Sequence, residues 1–364
     1  MTHPEISEGY LSGYAELITE VSATGRRLSR DELESRRALG ERAAEDGHGL
    51  RRLVIGHLSA TRAVWAALPA ATGSPGVRGP RATVDSVLAA TEQAVDAFAE
   101  GYERARRLAV RQEEAAHREF IDDLLHGRSD PGRLSERAER FGLRLAHAHA
   151  VAVAAGREAY DDAHPVTRRL ATAFQGRFGE RHTLLTTKDG RLICVAPGDQ
   201  DDVLRFFSQR AHQVTDGGQV AVGRPHPGPG GVVHSYEEAL SALDLAGKMG
   251  LDTPVLRAAD LLVFPVLTRD RQAMADLVRS TLGPLRQARG GAEPLLATLT
   301  AFFDSGCVAA EAARRLSLSV RAFTYRLARI HDLTGADPSD PMHRYTLQTA
   351  VIGARLLDWP AKEL

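Results

Sequence analysis

Residues 309–331 read AAEAARRLSLSVRAFTYRLARIH, and this stretch decides how the chain is read. Ala309, Ala312, Ala313 and Leu316 recur at helical spacing and predict a short helix with one apolar face. Ser317-Leu318 reads as a tight turn. Ser319 has the short oxygen-bearing side chain that caps the free N–H groups of a second helix. Ala322, Phe323, Leu327 and Ile330 form the buried face of that helix, and the small alanines of the first let the two cross closely. The pair predicts a helix-turn-helix. Within 306–331, Arg314, Arg315, Arg321, Arg326 and Arg329 stand against a single acid, Glu311. This local positive excess suits phosphate contact. An ordinary helical hairpin with solvated arginines would show the same spacing, so both readings stand at this level.

The excess is local. The 364 residues carry 46 Lys+Arg against 47 Asp+Glu, a formal charge of −1, which excludes a globally basic nucleic-acid coat and a strongly acidic tail. The length suits two or three domains. Cys194 and Cys307 lie far apart with no Cys-x-x-Cys spacing, so neither a disulfide framework nor a structural zinc site is expected, and no cofactor. No apolar run approaches the ~20 residues of a spanning helix. The start, MTHPEISEGY, has no signal-peptide pattern. The expectation is a cytoplasmic protein without membrane contact.

Upstream of the helices the period changes. Ala148 to Ala155 is a short Val-rich apolar run that predicts a buried strand. Helical spacing follows over Pro165 to Phe178. The runs Thr183–Thr187 and Leu192–Ala196 flank Lys188-Asp189-Gly190-Arg191, and Asp-Gly between apolar runs signals a hairpin. A helix over Asp201–Gln213 and a strand over Gln219–Val222 complete β-α-β-β-α-β, the ferredoxin-like order. Ser235-Tyr236-Glu237-Glu238 reads as the capping box of a helix ending near Gly250.

Residues 10–69 read as helices closed by Pro69, and Ala70–Arg81, rich in Gly and Pro, as a hinge. A long helix is expected from about Thr83. Along it Val84, Leu88, Thr91, Val95, Phe98, Tyr102, Ala105 and Ala109 alternate at +4 and +3 spacing, with Val84, Leu88, Val95, Phe98 and Tyr102 as its larger apolar members. Such a stripe is either the inner face of a helical domain or a dimer seam, and both remain open here. The fold class is therefore multidomain and mostly α with an α+β middle: residues 1–126 helical, 127–258 a βαββαβ domain, and 259–364 a helical C-terminal domain with the helix-turn-helix.

Leu295-Leu296, Thr298-Leu299, Ala313-Arg314-Arg315-Leu316, Tyr325-Arg326-Leu327, Arg329-Ile330 and Leu333-Thr334-Gly335 resemble the C-terminal helix-turn-helix of PucR/CdaR transcription regulators. Val222-Gly223-Arg224 with Ser235-Tyr236 and Glu238-Ala239 resembles the family's degenerate GGDEF-like module. Residues 10–126 resemble, more weakly, the globin-like helical domain of RsbR-type sensors. The resemblance implies a regulator that binds double-stranded DNA as a homodimer or higher homo-oligomer and answers to an effector or partner. On the second helix, Ser319, Val320, Arg321, Thr324 and Tyr325 would face base edges, and Arg314, Arg315, Arg326 and Arg329 would contact phosphates. Two positions depart from the family pattern. Ser319-Val320-Arg321-Ala322 replaces the usual His-Arg-Asn-Thr opening, and Val308 stands where an Asn precedes the first helix. A rival reading follows from these departures: an interaction scaffold whose helix-turn-helix no longer binds DNA.

The remaining candidates are weaker. Diguanylate cyclases need metal-holding carboxylates on the first strand and in the hairpin. Val151–Ala155 carries none, and the hairpin offers only Asp189, which turn chemistry explains. No enzymatic activity is expected. His147 and His149 would share a strand face without a third ligand, Gly228–Gly231 matches no phosphate-binding spacing, and Cys307 has no resolving partner nearby.

Overall fold

The computed structural model describes residues 8–67, 79–178 and 183–364. Pro69 and most of the hinge expected over Ala70–Arg81 lie outside the described residues, as does part of the segment before the hairpin, and the last two hinge residues, Pro80 and Arg81, already belong to a helix. By its internal contacts the chain divides into two units, Met1–Glu119 and Phe120–Leu364.

The first unit is helical. Helices α1 (Tyr14–Thr24), α2 (Arg30–Glu45), α3 (Leu50–Ala67) and the first part of α4 (Pro80–His126) build it. Helix α2 begins with a full capping box: Glu32 N–H donates to Ser29 Oγ at 3.3 Å, and Ser29 N–H donates to Glu32 Oε2 at 2.7 Å. Arg26 donates to both Glu32 and Glu20, and its hydrogen bond holds the Glu32 carboxyl down at about 2. Tyr14, Ile18, Val21, Val87, Ala90 and Ala94 fill one core, and Tyr10, Ala43, Leu53, Phe98 and Tyr102 a second.

Helices α2 and α4 cross through two glycines. A Cβ on Gly40 would stand 2.0 Å from the Phe98 carbonyl oxygen, and one on Gly101 would stand 2.1 Å from that of Arg37. The backbones thus meet with nothing between them, and Arg37–Glu100 at 2.7 Å closes the rim. Nearby, Arg36 and His57 are both buried. His57 Nδ1 donates to the Leu53 carbonyl at 2.9 Å while its ring lies 4.7 Å from that of Phe98. Burial pushes its pKa down, and the Arg36 guanidinium adds to this.

The second unit opens with the end of α4, where Phe120 stacks on Phe141 at 4.7 Å and Leu124 and Leu125 enter the core. Then come α5 (Pro131–Arg140), β1 (His149–Ala155), α6 (Pro165–Phe178), β2 (Leu184–Lys188), β3 (Arg191–Pro197), α7 (Asp201–Val214), β4 (Gln219–Val222), α8 (Pro229–Met249) and β5 (Val255–Arg257). The sheet order is β2-β3-β1-β4-β5, antiparallel except for β4–β5. Its period-two alternation feeds two layers. Val151, Val153, Ile193, Val195 and Ala221 meet α5 and α8, while Ala150, Ala152, Ala154, Cys194, Val220 and Val222 meet α6 and α7. The fully buried Cys194 thiol has its pKa pushed up by that burial. The βαββαβ order and the hairpin are as expected: Asp189 (φ +49°) and Gly190 (φ +73°) take the left-handed conformations that a two-residue turn demands. Lys188 Nζ, at the foot of the hairpin, pairs with Asp122 at 2.5 Å.

Two local expectations need correction. Helix α8 begins at Pro229, so Ser235 lies inside it and caps nothing. Its hydroxyl instead accepts the Val151 N–H of β1 at 2.8 Å, which ties helix to sheet. Gly223 is required at that crossing, since a Cβ there would stand 2.0 Å from the Ser235 carbonyl oxygen. Second, His147 and His149 do not share a strand face. His147 is exposed before the strand, and its carbonyl faces His149 Nδ1 at 3.0 Å.

The C-terminal part contains α9 (Val263–Thr268), α10 (Arg271–Leu282), α11 (Glu293–Asp304), α12 (Ala309–Arg315), α13 (Val320–Thr334) and α14 (Pro341–Leu356). Met274, Val278, Leu282, Leu299, Ile330, Leu347 and Val351 form its core. Arg355 of α14 reaches back to the Met249 carbonyl at the end of α8 and pairs with Asp304 at 3.6 Å.

Candidate nucleic-acid interface

Helices α12 and α13 form the expected helix-turn-helix. Ala312 and Ala313 are buried with Phe302 and Phe323, with Ala309, Leu316 and Leu327 packed at the edge. Ser317 makes the turn at φ +55°, and Ser319 Oγ accepts the Ala322 N–H at 3.1 Å as the N-cap of α13. Phe323 and Ile330 point inward and are fully buried, which turns the opposite side of α13 to solvent. Ser319, Val320, Arg321, Thr324 and Tyr325 are all exposed there, Tyr325 at 72 %.

The arginines fall into two groups. Arg314 and Arg315 on α12 both turn to Glu311, Arg314 in close contact and Arg315 at 3.8 Å. Arg321, Arg326 and Arg329 on α13 instead line a groove of about 740 Å³ with Tyr325 and Ser319. Its far wall is the Ala288–Gly291 loop, which adds Arg289. Among the described residues none of these four arginines has a carboxylate within 4 Å. Arg289 went unread in the sequence because the Gly290-Gly291 that follows signals only a loop. Both glycines take positive φ, +97° and +78°. The arrangement offers four unneutralised guanidinium groups along one groove, suited to phosphate oxygens or base edges.

The first helix starts less well. Val308 is the N-cap of α12, with the extended conformation a cap needs but no side-chain oxygen to offer.

The dimer stripe does not emerge as one face. Phe98 and Tyr102 are buried in their own unit, Tyr102 Oη donating to the His48 carbonyl at 2.7 Å. Val84 and Val95 are half-buried, and Leu88 is 60 % exposed. The buried line of α4 keeps Thr91 and Phe98 of that stripe and adds Val87, Ala90 and Ala94, which pack with α1, and Gly101, where α2 approaches. No group of three or more His, Cys, Asp or Glu that could hold a metal ion occurs among the described residues, nor any helix long and apolar enough to cross a membrane.

The helix-turn-helix follows a βαββαβ domain, and both have counterparts among known domains. Residues 126–245 match the GGDEF-like domain, and residues 295–352 match the PucR C-terminal helix-turn-helix domain. The chain therefore carries the PucR/CdaR pair of domains in the order the sequence resemblance implied. It is 31 % identical over 166 residues to uncharacterised proteins of Mycobacterium tuberculosis and Mycobacterium bovis. That match covers 45 % of this chain and only 39 % of those relatives' length. Among solved structures, a regulator of polyketide synthase expression from Bifidobacterium adolescentis is 22 % identical, with a TM-score of 0.35 over 68 % of this chain and 94 % of that one.

Proposed function

We propose that the chain is a transcription regulator that binds promoter DNA through α13, with the helical unit and the GGDEF-like domain receiving a signal or partner. The observation carrying this reading is the groove in which Arg289, Arg321, Arg326 and Arg329 converge, without carboxylate partners among the described residues, beside the exposed Tyr325. A solvated hairpin would gain nothing from holding four unpaired cations together, because like charges repel. Arg321, nearest the start of α13, is the base-reading candidate, with Ser319, Val320, Thr324 and Tyr325 around it. Arg326, Arg329 and Arg289 would fix the helix on the backbone, and Arg314 and Arg315 join only by releasing Glu311. A two-fold assembly would let two short footprints read one operator. The domain limits of 126 and 258 belong to the same proposal.

A mobility shift with the upstream region of the chain's own gene, at several salt concentrations, tests the reading. Specific binding with a log–log salt slope of about −0.9 per phosphate contacted is the expected result. Absence of a shift at low salt with a folded protein would leave the scaffold reading in its place.

A further inference from the structure

Residues 261–267 read Leu-Leu-Val-Phe-Pro-Val-Leu, and not one of these side chains is buried. Val263 is 56 % exposed and Val266 73 %. Leu261 and Leu267 pack only at the edges of the neighbouring cores, whereas Leu262, Val263 and Val266 turn to solvent together, and such a contiguous exposed apolar patch marks a contact surface. Part of it, through Leu262 and Phe264, forms one wall of a cleft of about 980 Å³. The opposite wall is α8 of the GGDEF-like domain, and the floor comes from Met274 of α10 and Leu357 at the end of α14. The cleft lies between two domains and is large enough to enclose most of a small organic molecule.

Its charges discriminate between ligands. On the α8 wall Glu238 is held by Arg224 and His226, Asp244 pairs with Lys248 at 2.8 Å, and the exposed Glu237 at the rim stands 4.0 Å from His234. Burial pushes the Glu238 carboxyl up, but the hydrogen bonds from Arg224 and His226 outweigh it, and the net direction is down. Across the cleft Arg271 has no carboxylate within 4 Å among the described residues, and Asp358, the acid it influences, is engaged by Lys362 at 2.7 Å. The cleft therefore presents an apolar surface with one uncommitted guanidinium beside it.

We propose that this cleft binds a small amphiphilic anion, an apolar chain or ring bearing a carboxylate, with the carboxylate on Arg271 and the apolar part against Leu262, Phe264 and Met274. Because the two walls belong to the GGDEF-like domain and to the helices that carry α13, such a ligand is suited to be the effector. That role rests on the function proposed above; the binding itself does not.

The test uses the full chain and no DNA. The fluorescent aromatic sulfonate 8-anilinonaphthalene-1-sulfonate serves as probe, with decanoate and decanol as competitors. One saturable site per chain is expected, from which decanoate displaces the probe at about tenfold lower concentration than decanol, the preference of one charge-assisted contact. Arg271→Gln should erase that preference while leaving decanol unchanged, and Phe264→Asp should weaken both competitors. Arg269→Gln, two residues before Arg271 and outside the cleft, controls for general charge and should behave as wild type. Equal displacement by decanoate and decanol, loss of the preference in Arg269→Gln as well, or a probe signal that emerges only on dilution because a second copy covers the cleft, would each overturn the proposal. Circular dichroism of every variant separates a lost site from a lost fold.

Discussion

Val308 shows how a single side chain sets the stability of a functional motif. It occupies an N-cap with the right backbone and the wrong chemistry, leaving the first N–H groups of α12 without a side-chain acceptor. Val308→Asn should raise the unfolding free energy of the second unit by about 0.5–2 kcal/mol, read from the shift of a denaturant midpoint at constant slope. No shift would mean that solvent already satisfies those groups. His57 makes the opposite case, a polar group kept neutral by its surroundings. Its folded pKa lies below that of the unfolded chain, near 6.5, so the unfolded chain takes up a proton first as the pH falls. Stability is intact above that value and declines below it, by up to about 1.4 kcal/mol per pH unit. Unfolding of wild type and His57→Gln between pH 5.5 and 7.5 checks this, since the variant should lack that part of the slope. Parallel curves for the two would show that the ring titrates alike in both states.

At the scale of elements, α13 is where sequence and structure agree most fully. Ser319 caps, Phe323 and Ile330 turn inward, and Arg321 and Tyr325 turn outward, because the three- and four-residue period leaves one arrangement that buries the apolar side. If α13 reads DNA, Arg321→Ala should cost about 1–3 kcal/mol on the preferred site and much less on random DNA. The paired change Arg289→Ala with Arg329→Ala should flatten the salt slope by about 1.8, two phosphates' worth, with a smaller effect from Arg314→Ala with Arg315→Ala. Gel-shift titrations from 50 to 200 mM salt compare the pairs, and a larger effect from the α12 pair would move the phosphate contacts to that helix. The strands were equally legible, since alternation and an Asp-Gly turn are local signals. What escaped was anything depending on distant neighbours. Ser235 looked like a cap because its hydrogen-bond partner, Val151, lies far back in the chain. Arg289 was invisible because only the packing of α11 against α13 brings its loop to the groove. The heptad stripe coincides with the buried line only in part, at Thr91, Phe98 and Tyr102. Val84, Leu88 and Val95 satisfy a spacing rule, whereas the observed inner line also runs through Ala90 and Ala94, which pack with α1, and through Gly101, which is small opposite α2.

On the scale of the whole molecule, assembly is the open variable, and the two halves of the stripe separate its outcomes. Phe98→Glu places a charge in a closed core and should unfold the helical unit, seen as lost helical circular dichroism. Leu88→Glu sits on an exposed turn and should keep the fold. Sedimentation then reads its effect on association: conversion to folded monomers makes the Leu88 side of α4 the dimer surface, and an unchanged assembly assigns that surface to another part of the chain.

The meeting of Gly40 and Gly101 limits how this protein can drift. Each glycine faces the other helix's backbone, so a methyl group at either position forces the same separation of α2 from α4. Once the helices have parted, a second methyl group meets open space. The two positions thus behave as one genetic locus. Either single change carries nearly the full defect and the double change adds little, so no stepwise route leads away from glycine through a partner substitution. In a library of random variants selected for folding, both positions should stay fixed while the exposed residues around them vary freely.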